Sequence, residues 1–513
     1  MEEQKLQVEP FSFMKFVYPF LFSRETFEAR SAAFESANWG SSVEMLPVWK
    51  ADRFPQDGLL PHVARYLNTG QNTSATASLW TIREDALTSK YGLGGGATQI
   101  KTTWFLKTPQ AELPFHIESV QVCLFSIGVG FITTNIAPGF NDLSSWFDFI
   151  HYYRFVEKQR GVTVRAQRRE DRDIKVDFFP NPSRTQVEAA GEAHHYGEIL
   201  HMMLATGGRE DERSPWWDEI YVAGQLLPFV GIFVRGDMTD ESLQLLAFRA
   251  RHFFHSRQEI HHAPNDLSFN HPAVLSYGEN QWLLFSLEGG SFFAGKVPDK
   301  PFFHETLPKH LQGIYYLIYI IALHQKLAMN MLQNEVAQNW VVQRSDSADH
   351  KRERAFSRIR DAVLAFSARG YFTQVVQLDH HHRYYQRWQE ILQTACLYKE
   401  LRDEVSDMFD YLLLQRQERL QRIAKDQEMR TRRLERLISV IACMVGLPIL
   451  GLTFQLAALG NNPILAMFFT AGTLGIGIGI YFGAKAWINK KDRTLEHSIA
   501  VSATQLHRKE KKI

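Results

Sequence analysis

LISVIACMVGLPILGLTFQLAAL at 437–459, the turn GNN at 460–462 and PILAMFFTAGTLGIGIGIYFGAKAWI at 463–488 form the stretch on which the reading of this chain turns. The two apolar runs are about 23 and 26 residues long, against the ~20 apolar residues a helix needs to cross a bilayer core. Gln455 is the one strongly polar side chain of the first run, and the second carries no ionised group before Lys485. Neither suits a half-wetted surface helix. The sequence therefore predicts two transmembrane helices joined by a short turn. Arg430, Arg432, Arg433 and Arg436 precede the pair, Lys485, Lys490, Lys491 and Arg493 follow it, and the turn between is uncharged. By the positive-inside bias both termini are expected in the cytoplasm, in a multi-pass protein of the inner (plasma) membrane with the turn facing out.

Upstream, residues 371–445 contain neither glycine nor proline. Leu397, Leu401, Val405, Met408 and Leu412 step by three or four, and Leu420 and Ile423 extend the stripe among charged neighbours. This spacing predicts one helix from about residue 384 that runs unbroken into the first apolar run, a stalk of roughly 75 Å at 1.5 Å per residue. A long coiled-coil dimer has the same pattern, but direct continuation into the apolar run favours the stalk. Between 311 and 332 the apolar core is only about ten residues before His324, Gln325 and Lys326, too short to span a bilayer, and reads as a buried helix. A second helix ends at Gly370.

The N-terminal portion mixes strand and helix signals. An apolar stretch at 11–22 is interrupted by Lys15 and Pro19 and follows Met-Glu-Glu, which is wrong for a signal peptide. Residues 119–136 form two β-rich runs around Gly128 and Gly130, predicting a hairpin or bulged strand pair. Asn141 and Asp142 supply cap chemistry for a helix bearing Trp146, Phe149, Ile150 and Tyr153, expected to reach about residue 156. Short strands at 162–164, 220–223, 226–234 and 282–287, a helix over about 241–254 and a charged loop at 165–175 with Arg168, Arg169 and Arg172 complete a mixed α+β pattern. The glycine cluster at 91–97 precedes a strand-like segment at 100–107, whereas a phosphate-cradling loop follows a strand and opens a helix.

The expected organisation is a cytosolic α+β domain at 1–305 that is a candidate ligand sensor, and a cytosolic helical segment at 306–383. A long stalk helix at 384–436, the transmembrane hairpin at 437–488 and a basic cytoplasmic tail at 489–513 follow. A net charge of +1 argues against direct nucleic-acid binding. The cysteines Cys123, Cys396 and Cys443 lie far apart, so neither a disulfide framework nor a structural zinc site is indicated. Of the many histidines only His252 and His255 have helical metal-ligand spacing, with Glu259 four residues on, and their aromatic neighbours suit a packed face equally well. No nucleophile, base and orienting acid assemble from the spacing, so no enzyme, catalytic residue or cofactor is expected.

Over about residue 311 to the end, the order of helical segment, long helix, apolar hairpin and basic tail resembles the CorA superfamily of divalent-cation channels. The external turn of that family begins Gly-Met-Asn, and the corresponding place here reads Gly460-Asn461-Asn462; Pro448 within the first apolar run is also similar to the family. The resemblance implies a homopentameric cation channel, with Mg²⁺ or another divalent cation as the transported ion and membrane lipid around it. Methionine is absent from the turn, and Pro463-Ile464-Leu465 follow it in place of acidic or aromatic residues. On this reading Gln455, Gly460, Asn461 and Asn462 line the pore and its external mouth, while Met444 and Leu447 form a hydrophobic gate. Gly475, Gly479 and Gly483 give a small-residue face for helix packing. The alternatives are a ligand-gated membrane effector of a prokaryotic antiviral system answering a small nucleotide signal, and a membrane-tethered enzyme without a pore.

Overall fold

The computed structural model describes residues 6–41, 44–68, 75–90, 102–155, 163–169, 175–178, 218–219, 225–236, 238–261, 263–340 and 346–458, with scattered positions between 467 and 483. They divide into two compact units, Met1–Met408 and Phe409–Ile513. In chain order the elements are β1 (Gln7–Val8), β2 (Phe13–Leu21), α1 (Phe27–Ser36), β3 (Asn38–Ser41), β4 (Glu44–Pro47), β5 (Trp49–Asp52), α2 (Pro61–Leu67), β6 (Ala77–Ile82) and β7 (Thr102–Lys107). Next come β8 (Glu112–Phe125), β9 (Val129–Pro138), α3 (Leu143–Tyr153), β10 (Thr163–Arg169), β11 (Lys175–Phe178), β12 (Asp218–Glu219), β13 (Leu227–Arg235) and α4 (Asp240–His252). The hairpins β14 (Val274–Gly278), β15 (Gln281–Ser286) and β16 (Gly289–Gly295) are followed by helices α5 (Tyr316–Trp340), α6 (Asp346–Arg369), α7 (Asp379–Ile391) and α8 (Thr394–Ala458).

Among the described residues, all strands but β3 and β4 join one sheet whose main path is β11-β10-β7-β8-β9-β2-β13-β16-β15-β14. Along it only β13 and β16 run parallel. The predicted strand pair at 119–136 is present as β8 and β9, with a register shift between Ile117 and Ser119. Its turn needs glycine at 128, where φ is +101° and an added Cβ would lie 2.5 Å from the Phe22 carbonyl oxygen.

The alternation of β2 decides what each face of the sheet meets. Phe16, Tyr18 and Phe20 point to one side, where they join Val122, Leu124, Ile132, Phe149 and Tyr153 in the main core. Helix α3 covers that side, its first turn fixed by Asp142 Oδ1, which accepts the Ser145 N–H at 2.8 Å. The rings of Phe16 and Tyr153 lie 4.6 Å apart and those of Phe115 and Phe149 5.2 Å apart. Helix α5 covers part of the opposite face. Ile318, Tyr319, Ile321, Ala322, Leu323 and Leu327 are all buried, so the helix read at 311–332 is an interior one. Its Tyr319 meets Phe229 of β13 and Trp388 of α7 at 5.5 and 4.6 Å.

Three expectations are corrected. The charged stretch at 165–169 is strand rather than loop, since β10 pairs with both β7 and β11; Arg172 lies outside the described residues. The helix expected to run unbroken from 384 is interrupted. α7 ends at Ile391, Gln393 takes the left-handed conformation with φ 55°, and α8 begins at Thr394. A non-glycine residue makes this break, which is why the lack of glycine and proline concealed it.

The third correction is the largest. Among the described residues no helix is long and apolar enough to cross a membrane. This overturns the C-terminal transmembrane hairpin at 437–488, and with it the placement in the inner membrane, the cytoplasmic assignment of the termini and the description of the chain as a membrane channel. As the spacing predicts, the first apolar run continues the helix that precedes it. It is the end of the 65-residue helix α8, whose preceding turns are densely charged. The second run falls mostly outside the described residues. In the second unit α8 exposes Leu420, Ile423, Leu434, Leu437 and Ile441.

Candidate functional site

The face of the sheet turned toward α5 carries several polar residues, whereas the α3 face is mostly apolar, with Thr134 a buried exception opposite Phe16. In the antiparallel ladder Lys15 stands opposite Asn135 of β9 and Phe229 of β13, while Val17 stands opposite Thr133, itself opposite Gln121 of β8. Residues directly opposite one another share a face. Lys15, Thr133, Gln121, Cys123 and Phe131 therefore form one contiguous patch. The helical turns leading into α5 add Gln312 and Gly313, and α5 adds Tyr316, Leu317 and Ile320, whose three- and four-residue spacing puts them on one helix face. Asp52, Arg53 and Phe54, at and beyond the end of β5, close a further side.

These walls line a partly open cavity of about 210 Å³. At ~30 Å³ per water that is room for about seven water molecules, the size of a small metabolite and below the range of roughly 300–1,000 Å³ usual for drug-sized ligands. Its lining is mostly apolar, with a few converging polar groups. The Lys15 side chain is buried, and its ammonium lies 4.7 Å from the centroid of the Tyr316 ring. Among the described residues that ammonium makes no ion pair. Burial lowers its pKa from 10.5 to about 8, opposed by the weaker attraction of Glu118. The Tyr316 and Thr133 hydroxyls bond each other at 2.5 Å. Gln121 Nε2 donates to Thr81 Oγ1, which donates to Asp52 Oδ2 at 2.9 Å; the other Asp52 oxygen accepts the Arg53 backbone N–H. Asp52 is thus engaged locally rather than with Lys15. The Cys123 thiol is pushed well up by burial, which keeps it protonated and unreactive.

The site residues singled out in the sequence are not among those that line this cavity. Met444, Leu447 and Gln455 fall within α8, Gly460, Asn461 and Asn462 lie outside the described residues, and Gly475, Gly479 and Gly483 occupy helical positions in the second unit. The glycine cluster at 91–97 and the strand expected at 220–223 also lie outside the described residues. His252 and His255 are not a helical pair, because Phe253 takes a left-handed conformation with φ 54° and ends α4 before His255. Burial, aided by neighbouring Arg251, lowers the His252 pKa to about 4. Among the described residues no group of three His, Cys, Asp or Glu side chains can hold a metal ion.

Lys15 entered the sequence reading only as an interruption of an apolar stretch. The signal available was a lone charge flanked by Phe13, Met14, Phe16 and Val17, in a strand buried on both faces. No known protein family, curated protein or solved structure matches the chain.

Proposed function

We propose that Met1–Met408 is a binding domain for a small anionic ligand, held in the cavity between the sheet and α5 and serving as the sensor of the chain. The observation that carries this reading is the buried ammonium of Lys15, which makes no ion pair among the described residues and is only weakly attracted by Glu118. An uncompensated charge in an apolar site costs several kcal/mol, and a ligand anion removes that cost while filling the empty volume. Arg53 adds a second positive group at the cavity wall. Thr133, Gln121 and Gln312 supply hydroxyl and amide groups for orientation. A whole nucleotide is larger than the cavity, so the expected ligand is a small carboxylate or monophosphate. Because α5 forms one wall and the strands the other, an occupant touches both layers of the domain and fixes their spacing.

The test is the thermal stability of the full chain in the presence of phosphate, acetate, lactate and succinate. At least one should raise the melting temperature of the wild type in a saturable manner and leave Lys15→Met unchanged. An equal shift in both proteins would show that binding occurs elsewhere and would remove this reading.

A further inference from the structure

The position of Lys15 suits it to more than charge balance. Its amine faces a mostly apolar cavity beside the Tyr316 ring and makes no ion pair among the described residues, with only the weaker attraction of Glu118 favouring its protonated form. A lysine desolvated in this way gives up its proton more readily than an ordinary one, and the neutral amine is the form that attacks carbonyl carbon. The hydrogen-bonded Tyr316–Thr133 hydroxyl pair belongs to the same wall and can give and take a proton. Arg53 is exposed at another side and makes no ion pair among the described residues, which leaves its guanidinium for a ligand carboxylate.

We propose that Lys15 condenses with the carbonyl group of a small oxo acid to form an imine inside the cavity, with Arg53 receiving the acid's carboxylate. This rests on the cavity being the ligand site. The nitrogen lone pair forms a C–N bond as the carbonyl π pair moves to oxygen, which takes a proton to give a carbinolamine. That hydroxyl leaves as water with a second proton, delivered through the Tyr316–Thr133 pair, while the nitrogen loses its hydrogens to become C=N. The sum is amine plus carbonyl giving imine plus water, and no oxidant or reductant is needed. Protonated, the iminium keeps the positive charge that an anionic ligand requires.

The experiment treats the full chain with pyruvate at pH 8, quenches with borohydride to convert the imine to a stable secondary amine, and maps the adduct by peptide mass spectrometry. At that pH an amine of pKa about 8 is neutral about a hundredfold more often than an ordinary lysine. One reduced adduct on Lys15 is expected, in large excess over Lys50 and Lys107, and Lys15→Arg should abolish it. Lactate, which has no carbonyl, separates this proposal from the one beneath it. Stabilisation by lactate and pyruvate without any Lys15 adduct overturns the imine and leaves the binding domain standing. Adducts spread evenly over exposed lysines also overturn it. Neither stabilisation nor adduct removes both readings.

Discussion

The two faces of the central sheet are made by the same strands and have opposite character. Toward α3, β2 contributes Phe16, Tyr18 and Phe20 to the main core, where Phe16 meets the rings of Phe149 and Tyr153 and Phe149 in turn meets Phe115 of β8. Toward α5 the alternate positions contribute Lys15 and Val17, and their neighbours Thr133, Gln121 and Cys123 leave a hole. One face is filled by dispersion and apolar burial. The other keeps volume and polar groups that packing alone would eliminate. Stability and ligand chemistry are thus separated by the two-residue period of one strand.

The strongest way to break this contrast is to truncate a ring on the filled face. Phe149 is fully buried and meets Phe16, Phe115, Phe140 and Tyr153. Phe149→Ala should cost about 3–5 kcal/mol in urea unfolding. Leu79→Ala at the cavity wall should cost less than about 2 kcal/mol, because Leu79 is only half-buried and its side chain already borders empty space. Equal costs would mean that the α5 face is as tightly packed as the α3 face.

A smaller effect of opposite sign is expected at Lys15. Its folded-state pKa, about 8, lies below the ordinary 10.5, so between these values the unfolded chain holds a proton that the folded chain has released. Stability of the wild type therefore rises with pH through that window, and the full penalty applies below pH 8. Lys15→Met should stabilise the ligand-free protein at pH 7 by on the order of 3 kcal/mol, at ~1.4 kcal/mol per pKa unit. The gain should shrink from pH 8 upward and vanish above about 10.5. Destabilisation at pH 7 would show that the ammonium is already satisfied, and the cavity would lose its claim to an anion.

What the sequence disclosed follows the same division. The β8–β9 pair was legible because alternation and two glycines mark it, α3 because Asp142 precedes an apolar helical spacing, and α5 because its apolar core is too short for a bilayer. Each of these is a local pattern. The cavity is not local: Lys15, Asp52, Gln121, Thr133 and Tyr316 come from five separate segments, and only strand register and the docking of α5 bring them together. The apolar run at 437–458 is different again: its continuity with the long charged helix was legible, but its apolar length suggested a membrane span, and among the described residues no helix qualifies as one. The β10 arginines misled in a third way, because pairing on both edges, not composition, makes that segment a strand.

The smallest effect tests the junction between α7 and α8, where sequence and structure predict opposite signs for one substitution. A helix running unbroken from 384, as the absence of glycine and proline suggests, would place Gln393 in a helix interior, and Gln393→Gly would destabilise it by roughly 0.5–1 kcal/mol. In the structure Gln393 is exposed and has φ 55°, a conformation that costs an L-residue roughly 1–2 kcal/mol and glycine almost nothing. Its amide N–H bonds the Glu390 carbonyl and its own carbonyl accepts from Leu397; glycine preserves both backbone groups. Glycine also loses more chain entropy on folding, which offsets part of the relief. The net expectation is a gain of about 0.5 kcal/mol for Gln393→Gly and a loss for Gln393→Val, whose branched side chain is least compatible with positive φ. Chemical denaturation of the pair decides the matter by sign alone. A loss with glycine would restore the continuous helix and remove the break at Gln393 that separates α7, whose Trp388 packs against Phe285 and Tyr319, from α8.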